Sequence, residues 1–534
     1  MNDNVKTSIY VGLALLCAVL GFAALPRTEV VGNTAEANQN LFPDFKDPLA
    51  ASSLEIKKFD EKLGEIEDFK VAKVNDSWVI PSHDNYPADA QKQLAEAAGA
   101  LLDLKSDGIA TEISSEHALY GVLEPSAEKT KVGAEGVGTL VVMEDGKDND
   151  LVRLIIGKQV KGTTDQYFVR RPGQDIVYVT KIAADKLTTD FDKWIEKDLL
   201  KLNGWDVAKM TLKDYTVLLQ QTGLGQIGIR YDQRMDATVS YDDAQSKWAV
   251  DKFTLFARGK PVSAELSETE ELNNQALNDM KFAVDDLKIV NVVRKPKGLG
   301  ASLMADEKVV SDPESQRSLV EMGFYPLKNG DNYEILAANG EAHVSMKDGV
   351  EYVLRFGNIA EATKGSEEGK LNRYLFVAAR LNEKQLPAPQ LEEEPAEPAG
   401  PAAEPKSETP KDGAKGAQGE TGEKAEAGEK KDEDKAEDSK GQGDDARRAE
   451  RERIRKANQR KTDEYNDKVK KAKAKVTELN ARFADWYYVV SEDTYKKIHL
   501  GRNDLVKEGS KAKEEGFGPD AFRTLEKQGL GAKK

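Results

Sequence analysis

Apolar and polar residues alternate in short runs along much of the chain, a pattern typical of β-strands with one buried face. Residues 53–59, 77–81 and 139–143 are three such runs in the first part of the sequence. Residues 87–104 instead carry apolar side chains at helical spacing and begin with a proline, which a first helical turn tolerates. Strands interleaved with a helix in this way predict an α+β fold with antiparallel sheets.

The same order of patterns returns in the second part of the chain. Three correspondences indicate this: residues 246–250 with 77–81, residues 267–282 with 87–104, and residues 341–356 with 139–156. Ser267 is expected to cap the second helix, because a glutamate follows it three residues later. We therefore predict two tandem copies of one mixed strand and helix module, at residues 51–207 and 208–386.

The last strand of the second module comes about a hundred residues late in the sequence. Residues 485–490 (DWYYVV) match residues 175–180 (DIVYVT), which are predicted to form the last strand of the first module. Residues 387–444 are rich in Pro, Glu, Lys and Gly, a composition that predicts a disordered linker. Residues 445–483 predict a long charged helix inserted in the second module. Residues 484–504 then complete that module, and residues 505–534 form a polar tail.

The N-terminal pattern predicts a membrane anchor. Residues 9–25 carry no charge, and their length is at the lower limit for a helix that spans a bilayer. Lys6 precedes them, so we expect residues 1–8 in the cytoplasm and the bulk of the chain outside the inner membrane, in the periplasm. Residues 26–50 would be a spacer. A cleaved signal peptide is the alternative interpretation.

Composition narrows the classes of function. The 78 Lys and Arg residues stand against 94 Asp and Glu residues, a formal net charge of -16, which disfavours a nucleic-acid binder. The single cysteine, Cys17, lies inside the apolar N-terminal stretch. An intramolecular disulfide and a multi-cysteine metal site are therefore excluded.

Motifs for catalysis or cofactor binding are weak. Gly223, Gly225 and Gly228 fit a GxGxxG pattern, but the chain continues as a strand where a nucleotide loop requires a helix, so a hairpin turn is favoured. Four histidines show no spacing typical of a metal site, and the loop residue among them is expected to be solvated: His83 in the loop, then His117, His343 and His499. The sequence identifies no catalytic, cofactor-binding or metal-ligating residue. It predicts a protein without a cofactor that is not an enzyme.

One basic run interrupts the acidic chain. Residues 447–460 (RRAERERIRKANQR) could be a helix that binds a membrane or a nucleic acid, or a coiled-coil arm that docks on a partner. Such a helix needs apolar anchors, and Ile454 alone is available. A solvated helix with internal ion pairs is therefore the favoured interpretation.

A set of motifs in the first module resembles a known family. In chain order, these are Trp78 to Pro81, Tyr120-Gly121 with Pro125, Ile156-Gly157, Tyr167 with Arg170, and Val177 to Val179. They resemble the bacterial domain-of-unknown-function family numbered 4340. The resemblance implies an N-terminal membrane helix and association with accessory components of gliding-motility-type ABC transporters. It supplies no functional residue to transfer.

Together these features predict a non-enzymatic, membrane-anchored accessory or scaffold protein of the cell envelope. The expected partner is the permease and ATPase complex of an ABC-type transporter. A structural protein that binds cell-wall polymer is the first alternative, and an envelope hydrolase is the second. A pocket with converging titratable groups would favour the hydrolase.

Overall fold

The computed structural model describes residues 38–126, 132–222, 226–300, 303–360, 370–395 and 438–509. The predicted transmembrane segment at residues 9–25 lies outside these ranges, as do residues 510–534 of the predicted tail. Within the described ranges, every helix is too short or too polar to cross a bilayer.

Most of the strands in the described ranges span ten residues or fewer. Their bounds are β1 (Ala51–Asp60), β2 (Glu65–Val74), β3 (Ser77–Ile80), β4 (Tyr86–Pro87), β5 (Ser106–Thr111), β6 (Thr139–Asp145), β7 (Asp150–Gln159), β8 (Gln166–Arg170), β9 (Val177–Lys181), β10 (Val207–Thr222), β11 (Gln226–Asp242), β12 (Lys247–Ala257), β13 (Lys260–Ser263), β14 (Glu270–Leu272), β15 (Asn291–Arg294), β16 (Met304–Ala305), β17 (Phe324–Asn329), β18 (Asn332–Ala337), β19 (Glu341–Met346), β20 (Val350–Ala360), β21 (Asn372–Leu381), β22 (Trp486–Ser491) and β23 (Val506–Glu508). The α-helices are α1 (Gln91–Leu101), α2 (His117–Tyr120), α3 (Asn274–Asp285), α4 (Glu307–Ser311), α5 (Pro313–Met322), α6 (Asp438–Phe483), α7 (Glu492–Ile498) and α8 (Arg502–Leu505).

Two nine-stranded sheets have the same strand order. The first sheet runs β4-β3-β2-β1-β6-β7-β8-β9-β5, and the second sheet runs β13-β12-β11-β10-β19-β20-β21-β22-β15. Neighbouring strands pair antiparallel throughout both sheets, as in β1 with β6 and β10 with β19. In the first sheet, β9 lies between β8 and the edge strand β5. In the second sheet, β22 lies in the same way between β21 and the edge strand β15. The predicted α+β class with antiparallel sheets is confirmed.

The second half of the chain also forms two smaller sheets. Strands β16, β18 and β17 form a three-stranded sheet, called the small sheet below, which lies in sequence between β15 and β19. Strands β14 and β23 form a two-stranded sheet. The small sheet has its own core, in which Phe324 and Ile335 pack against Phe376 and Tyr487 of the second sheet.

Alternation along each strand decides which side chains are buried. In β19, Ala342 and Val344 enter the main hydrophobic core, whereas Glu341 and His343 point to the opposite face. The main core is continuous across both sheets, and helices α1 and α3 cover it with their apolar stripes. The ring of Tyr86, in β4 of the first sheet, packs edge to face against Trp486 in β22 of the second sheet, with 4.9 Å between the ring centroids.

The start of the described chain differs from the predicted spacer. Leu41 and Phe45 are buried in the main core. The backbone N–H of Leu41 donates to the carbonyl of Leu104 (2.8 Å), which extends the edge beside β5. Residues 197–199 make the same contact with residues 287–289 beside β15. The last part of the predicted first module, before residue 208, therefore packs on the second sheet.

Both predicted helices begin later than expected. Pro87 lies in β4, paired with Val79, so the first helix starts at Gln91 rather than at residue 87. The second starts at Asn274 and is capped by Asn273, not by Ser267. The intervening strand β14 pairs with β23 near the end of the chain, a distant partner that local spacing cannot reveal.

The structure describes residues 387–395 and α6 of the segment between β21 and β22. Residues 387–395 of the predicted disordered linker lie along α6, where Asn458 exchanges two hydrogen bonds with the backbone of Glu392, each 2.9 Å long. Residues 396–437 lie outside the described residues. Helix α6 runs from Asp438 to Phe483, whereas the sequence predicted a charged helix over residues 445–483, and it buries Leu479 and Phe483 in the main core. Within the predicted tail at residues 505–534, the structure describes residues 505–509, which include β23.

Candidate functional site

The hairpin of β10 and β11 projects beyond the rest of the second sheet. Lys213 of β10 pairs with Glu341, and Lys57 of β1 pairs with Leu140 at the equivalent position of the first sheet. Beyond these residues, β10 continues for nine residues to Thr222, whereas β1 continues for three to Asp60. The second hairpin is therefore longer by about 20 Å, at roughly 3.4 Å per residue.

The projecting part carries exposed apolar side chains. Leu219 lies opposite Ile229, and Val217 lies opposite Tyr231 on the same face. Leu219, Ile229 and Tyr231 are 42%, 40% and 43% exposed, and Leu218 on the other face is 51% exposed. Val217 is fully buried with Tyr215 against the small sheet. One apolar stripe therefore begins in a packed core and continues into solvent.

A buried ionic network, centred on Glu341, lies at the base of this hairpin. The Glu341 carboxylate accepts hydrogen bonds from Lys213 Nζ (2.5 Å), His343 Nε2 (2.9 Å) and Arg355 Nε (2.6 Å), and the Tyr215 hydroxyl lies at 3.4 Å. Burial alone would raise the pKa of the Glu341 carboxyl. The hydrogen bond from His343 and the positive charges of Arg355 and Lys213 outweigh burial and hold this pKa well below its usual range.

The network continues along the sheet through His343. Its Nδ1 lies 3.1 Å from Arg380 Nη2 and accepts from it, because a guanidinium can only donate. Arg380 also donates to Glu351, which accepts from Ser345 Oγ (2.7 Å). The imidazole thus has its Nε2 proton directed at Glu341, and both ring nitrogens are engaged in structural contacts.

Arg355 connects this network to the small sheet. Its guanidinium donates to the carbonyl of Ile335 and to Glu334 (2.6 Å), both in β18. Tyr215 of β10 also reaches the small sheet, since its hydroxyl accepts from the backbone N–H of Ala337 (3.4 Å). The base of the hairpin, the second sheet and the small sheet are therefore held together by one set of contacts.

The first sheet has apolar residues at the equivalent positions. Leu140 pairs with Ile155 where Glu341 pairs with Arg355. Both apolar residues are buried. A glycine follows two residues after Ile155 and two residues after Arg355, which fixes the correspondence. The fold can thus fill these positions with apolar side chains, and the ions of the second sheet are a specific feature of the hairpin's base.

A second ion pair locks the two strands of the hairpin. Arg234 of β11 donates to the carboxylate of Asp214 in β10 and to Thr216 Oγ1 (2.9 Å). His499 lies beside Asp214, with Nε2 at 3.7 Å from Oδ1, and stacks on Tyr495 at 5.1 Å between ring centroids. Burial lowers the pKa of His499. These contacts join β10 and β11 at the base of the projecting segment.

The histidines identified in the sequence do not form one site. His83 is not a solvated loop residue: its ring stacks on Phe191 at 4.3 Å, and burial lowers its pKa. His117 is buried, with Nε2 at 2.8 Å from the carbonyl of Asp175. Among the described residues, no group of three or more His, Cys, Asp or Glu side chains could hold a metal ion.

The glycine motif lies at the end of the projecting hairpin. Residues 223–225 fall outside the described residues, but the flanking Thr222 and Gln226 pair with each other across the turn. The strand continues through Gly228, in agreement with the predicted hairpin. The sequence motifs did not point to this hairpin as a functional site. The available signal was its length, since Leu218, Leu219, Ile229 and Tyr231 extend the alternating pattern beyond that of residues 53–59.

Comparison with known proteins supports one assignment. No curated protein and no solved structure matches the chain. The model of one family, described as a domain of unknown function (DUF4340), matches residues 78–303. This range begins in β3 of the first sheet and includes β10 to β13 of the second, so it also covers the projecting hairpin. The resemblance seen in the sequence is confirmed over residues 78–303, where the chain matches the DUF4340 family model.

Proposed function

We propose that this protein is a non-enzymatic, membrane-anchored scaffold outside the cytoplasm, which binds a protein partner through the β10–β11 hairpin. The observation that carries the proposal is the exposed apolar stripe of Leu219, Ile229 and Tyr231 on a rigidly held projection. Apolar and aromatic side chains clustered on an exposed surface are typical of protein interfaces.

The proposal includes a duplication of one module. Equal strand order in the two sheets supports it. Two glycines in each proposed copy make the same contacts. A Cβ on Gly157 would lie 2.4 Å from the carbonyl O of Tyr120, and a Cβ on Gly357 would lie 2.1 Å from the carbonyl O of Met322. The residues that follow Tyr120 and Met322 are Gly121 and Gly323, and both have positive φ. The long hairpin, the small sheet and α6 are then additions to the second copy.

Proposed partners are the permease and ATPase subunits of an ABC-type complex. Two features support this choice: the apolar segment at residues 9–25, which would place the scaffold at the inner membrane, and the family resemblance. A scaffold without its own nucleotide site would depend on another subunit for ATP hydrolysis. The long charged helix α6 offers a second contact surface.

The test is a crosslinking pull-down of the full chain from membranes. We expect the wild type to recover permease and ATPase subunits, and the double variant Leu219→Ser, Ile229→Ser to lose at least about 90% of that recovery, since truncating central apolar contacts costs about 1.4 kcal/mol or more. A matched control is the double variant Leu63→Ser, Leu119→Ser. Leu63 lies in the β1–β2 turn and Leu119 in α2, and these leucines are 60% and 67% exposed.

The control should recover the partner as the wild type does. Equal recovery by the hairpin variant would contradict the proposed binding surface. Recovery of no protein, together with retention on isolated cell wall, would contradict the scaffold function and favour a structural protein of the wall.

A further inference from the structure

A groove runs beside α6, where this helix meets the β19–β20 turn and residues 198–206. The volume of the groove is about 770 Å³. This is within the usual range for small-molecule sites. Its walls include five lysines and three aspartates: Lys201, Lys347, Lys468, Lys471 and Lys475, with Asp198, Asp206 and Asp348.

Positive charge is concentrated along α6. Residues 446–483 contain 14 Lys and Arg against 6 Asp and Glu, although the whole chain has a net charge of -16. Lys468, Lys471 and Lys475 follow each other at spacings of three and four residues, which places them on one side of the helix. That side borders the groove.

Four of the eight charged side chains that line the groove are in ion pairs. Lys475 pairs with Asp348 (2.7 Å), Lys347 with Asp243 (2.6 Å) and Lys201 with Glu196 (3.3 Å). Lys468 and Lys471 have no ion-pair partner within the described part of the chain, and both are exposed. Asp198 and Asp206 also have no ion-pair partner in that part of the chain, but neither lies on α6, so the excess of positive charge is confined to the α6 wall of the groove.

The floor of the groove is apolar. Leu202, Met346, Leu386 and Ala472 line it, and all four are buried in the protein, while Pro387 borders them. A free inorganic anion would use the lysines but not this floor. A ligand that has an anionic head and an apolar part would use both.

We propose that this groove binds an anionic amphiphile of the lipid type, with its phosphate at Lys468 and Lys471 and its acyl part on the floor of Leu202, Met346 and Leu386. The site is separate from the β10–β11 hairpin, so a failure of lipid binding here and a failure of partner binding at the hairpin can be distinguished.

The probe is dioctanoyl phosphatidylglycerol below its critical micelle concentration, added to the full chain in neutral detergent. Hydrogen exchange of peptides that cover residues 384–387 and 468–475 reports binding. We expect slower exchange in both peptides. For the variant Lys468→Ala, Lys471→Ala the half-saturating concentration should rise about tenfold, as expected for the loss of charge-assisted contacts.

The control variant Lys496→Ala, Lys497→Ala removes two exposed lysines of α7 and should bind as the wild type does. Three further outcomes would overturn the proposal. Equal protection by dioctanoyl phosphatidylcholine would exclude a role for the lysines. Equal protection by inorganic phosphate would exclude a role for the apolar floor, and no protection by any probe would exclude the site.

Discussion

Asn480 of α6 pairs with the backbone of Ala379 in β21 as a neighbouring strand would. Its Oδ1 accepts from the Ala379 N–H and its Nδ2 donates to the Ala379 carbonyl, both at 2.8 Å. Strand β22 pairs with β21 only between Asn372 and Leu375, so Ala379 lies on an edge that β22 does not reach. One carboxamide therefore satisfies two backbone groups that would otherwise be unpaired under the helix.

Replacing this carboxamide should destabilise the protein. We expect Asn480→Ala to lower the free energy of unfolding by about 1–3 kcal/mol, because both backbone groups of Ala379 would remain desolvated without a partner. Urea denaturation measures the change. Asn458→Ala removes the similar but exposed pair with Glu392 and serves as the control, with an expected loss below about 1 kcal/mol. Equal losses in the two variants would contradict the edge-pairing role of Asn480.

We expect that the Glu341–Arg355 pair can be replaced by the apolar pair Leu140 and Ile155, which lies at the equivalent position of the first sheet. Glu341→Leu alone should cost roughly 3–5 kcal/mol, because it leaves Arg355 buried without its main counter-charge. The double variant Glu341→Leu, Arg355→Ile copies Leu140 and Ile155 and should recover more than half of that loss. Thermal and urea unfolding of the three proteins test this. A double variant that is less stable than the single one would show that the two sheets are not interchangeable at this position.

Lys295 should make stability depend on pH. It is buried, its Nζ donates to the carbonyl of Phe483 at the end of α6 (3.0 Å), and it lies 3.8 Å from the centroid of Phe376. Burial lowers its pKa from 10.5 to about 7. Between these two values the unfolded chain binds a proton that the folded chain does not, so stability rises with pH by about 1.4 kcal/mol per unit.

The measurement is urea denaturation between pH 7.5 and 9.5. We expect the wild type to gain stability relative to Lys295→Met across this range, because the methionine cannot titrate. Lys288→Met, at an exposed lysine, should follow the wild type. A constant difference between wild type and Lys295→Met would show that Lys295 does not change its protonation on folding.

Gly357 should not tolerate a side chain. A Cβ there would lie 2.1 Å from the carbonyl O of Met322, a backbone atom that cannot rotate away. We expect Gly357→Ala to lower the melting temperature and to cost about 3 kcal/mol. A Cβ on Gly99 in α1 would meet no atom of a neighbouring element within 4 Å, so Gly99→Ala is the control and should add up to about 1 kcal/mol. Little or no loss in Gly357→Ala would mean that β20 and α5 can separate.

Patterns that act over a few residues were predictable from the sequence. The match between residues 485–490 and 175–180 is reproduced in the sheets, where Tyr488 pairs with Leu375 and Tyr178 pairs with Val169 at the same place in each sheet. Both segments were recognisable as strands because alternation along a strand is a local property. The late return of β22 was visible for the same reason.

Contacts between distant segments were not predictable. Leu41 and Phe45 look like parts of a polar, proline-containing spacer until the edge beside β5 is available to them. Ser267 satisfies a capping pattern, but the strand that follows pairs with residues 506–508, so the helix starts later. The ions around Glu341 come from three strands of the second sheet and one of the small sheet, and nothing in a single strand indicates that they meet.

The insertion that contains α6 also determines the order in which the nascent chain can fold. The first sheet has all its strands once residue 181 has left the ribosome. The second sheet must wait for β22, whose partner β15 was made almost two hundred residues earlier. During that interval β15 and the outer edge of β21 remain unpaired, and pairing over such separations is slow. We expect the second half of the chain to be the stage of synthesis at which chaperones are needed most.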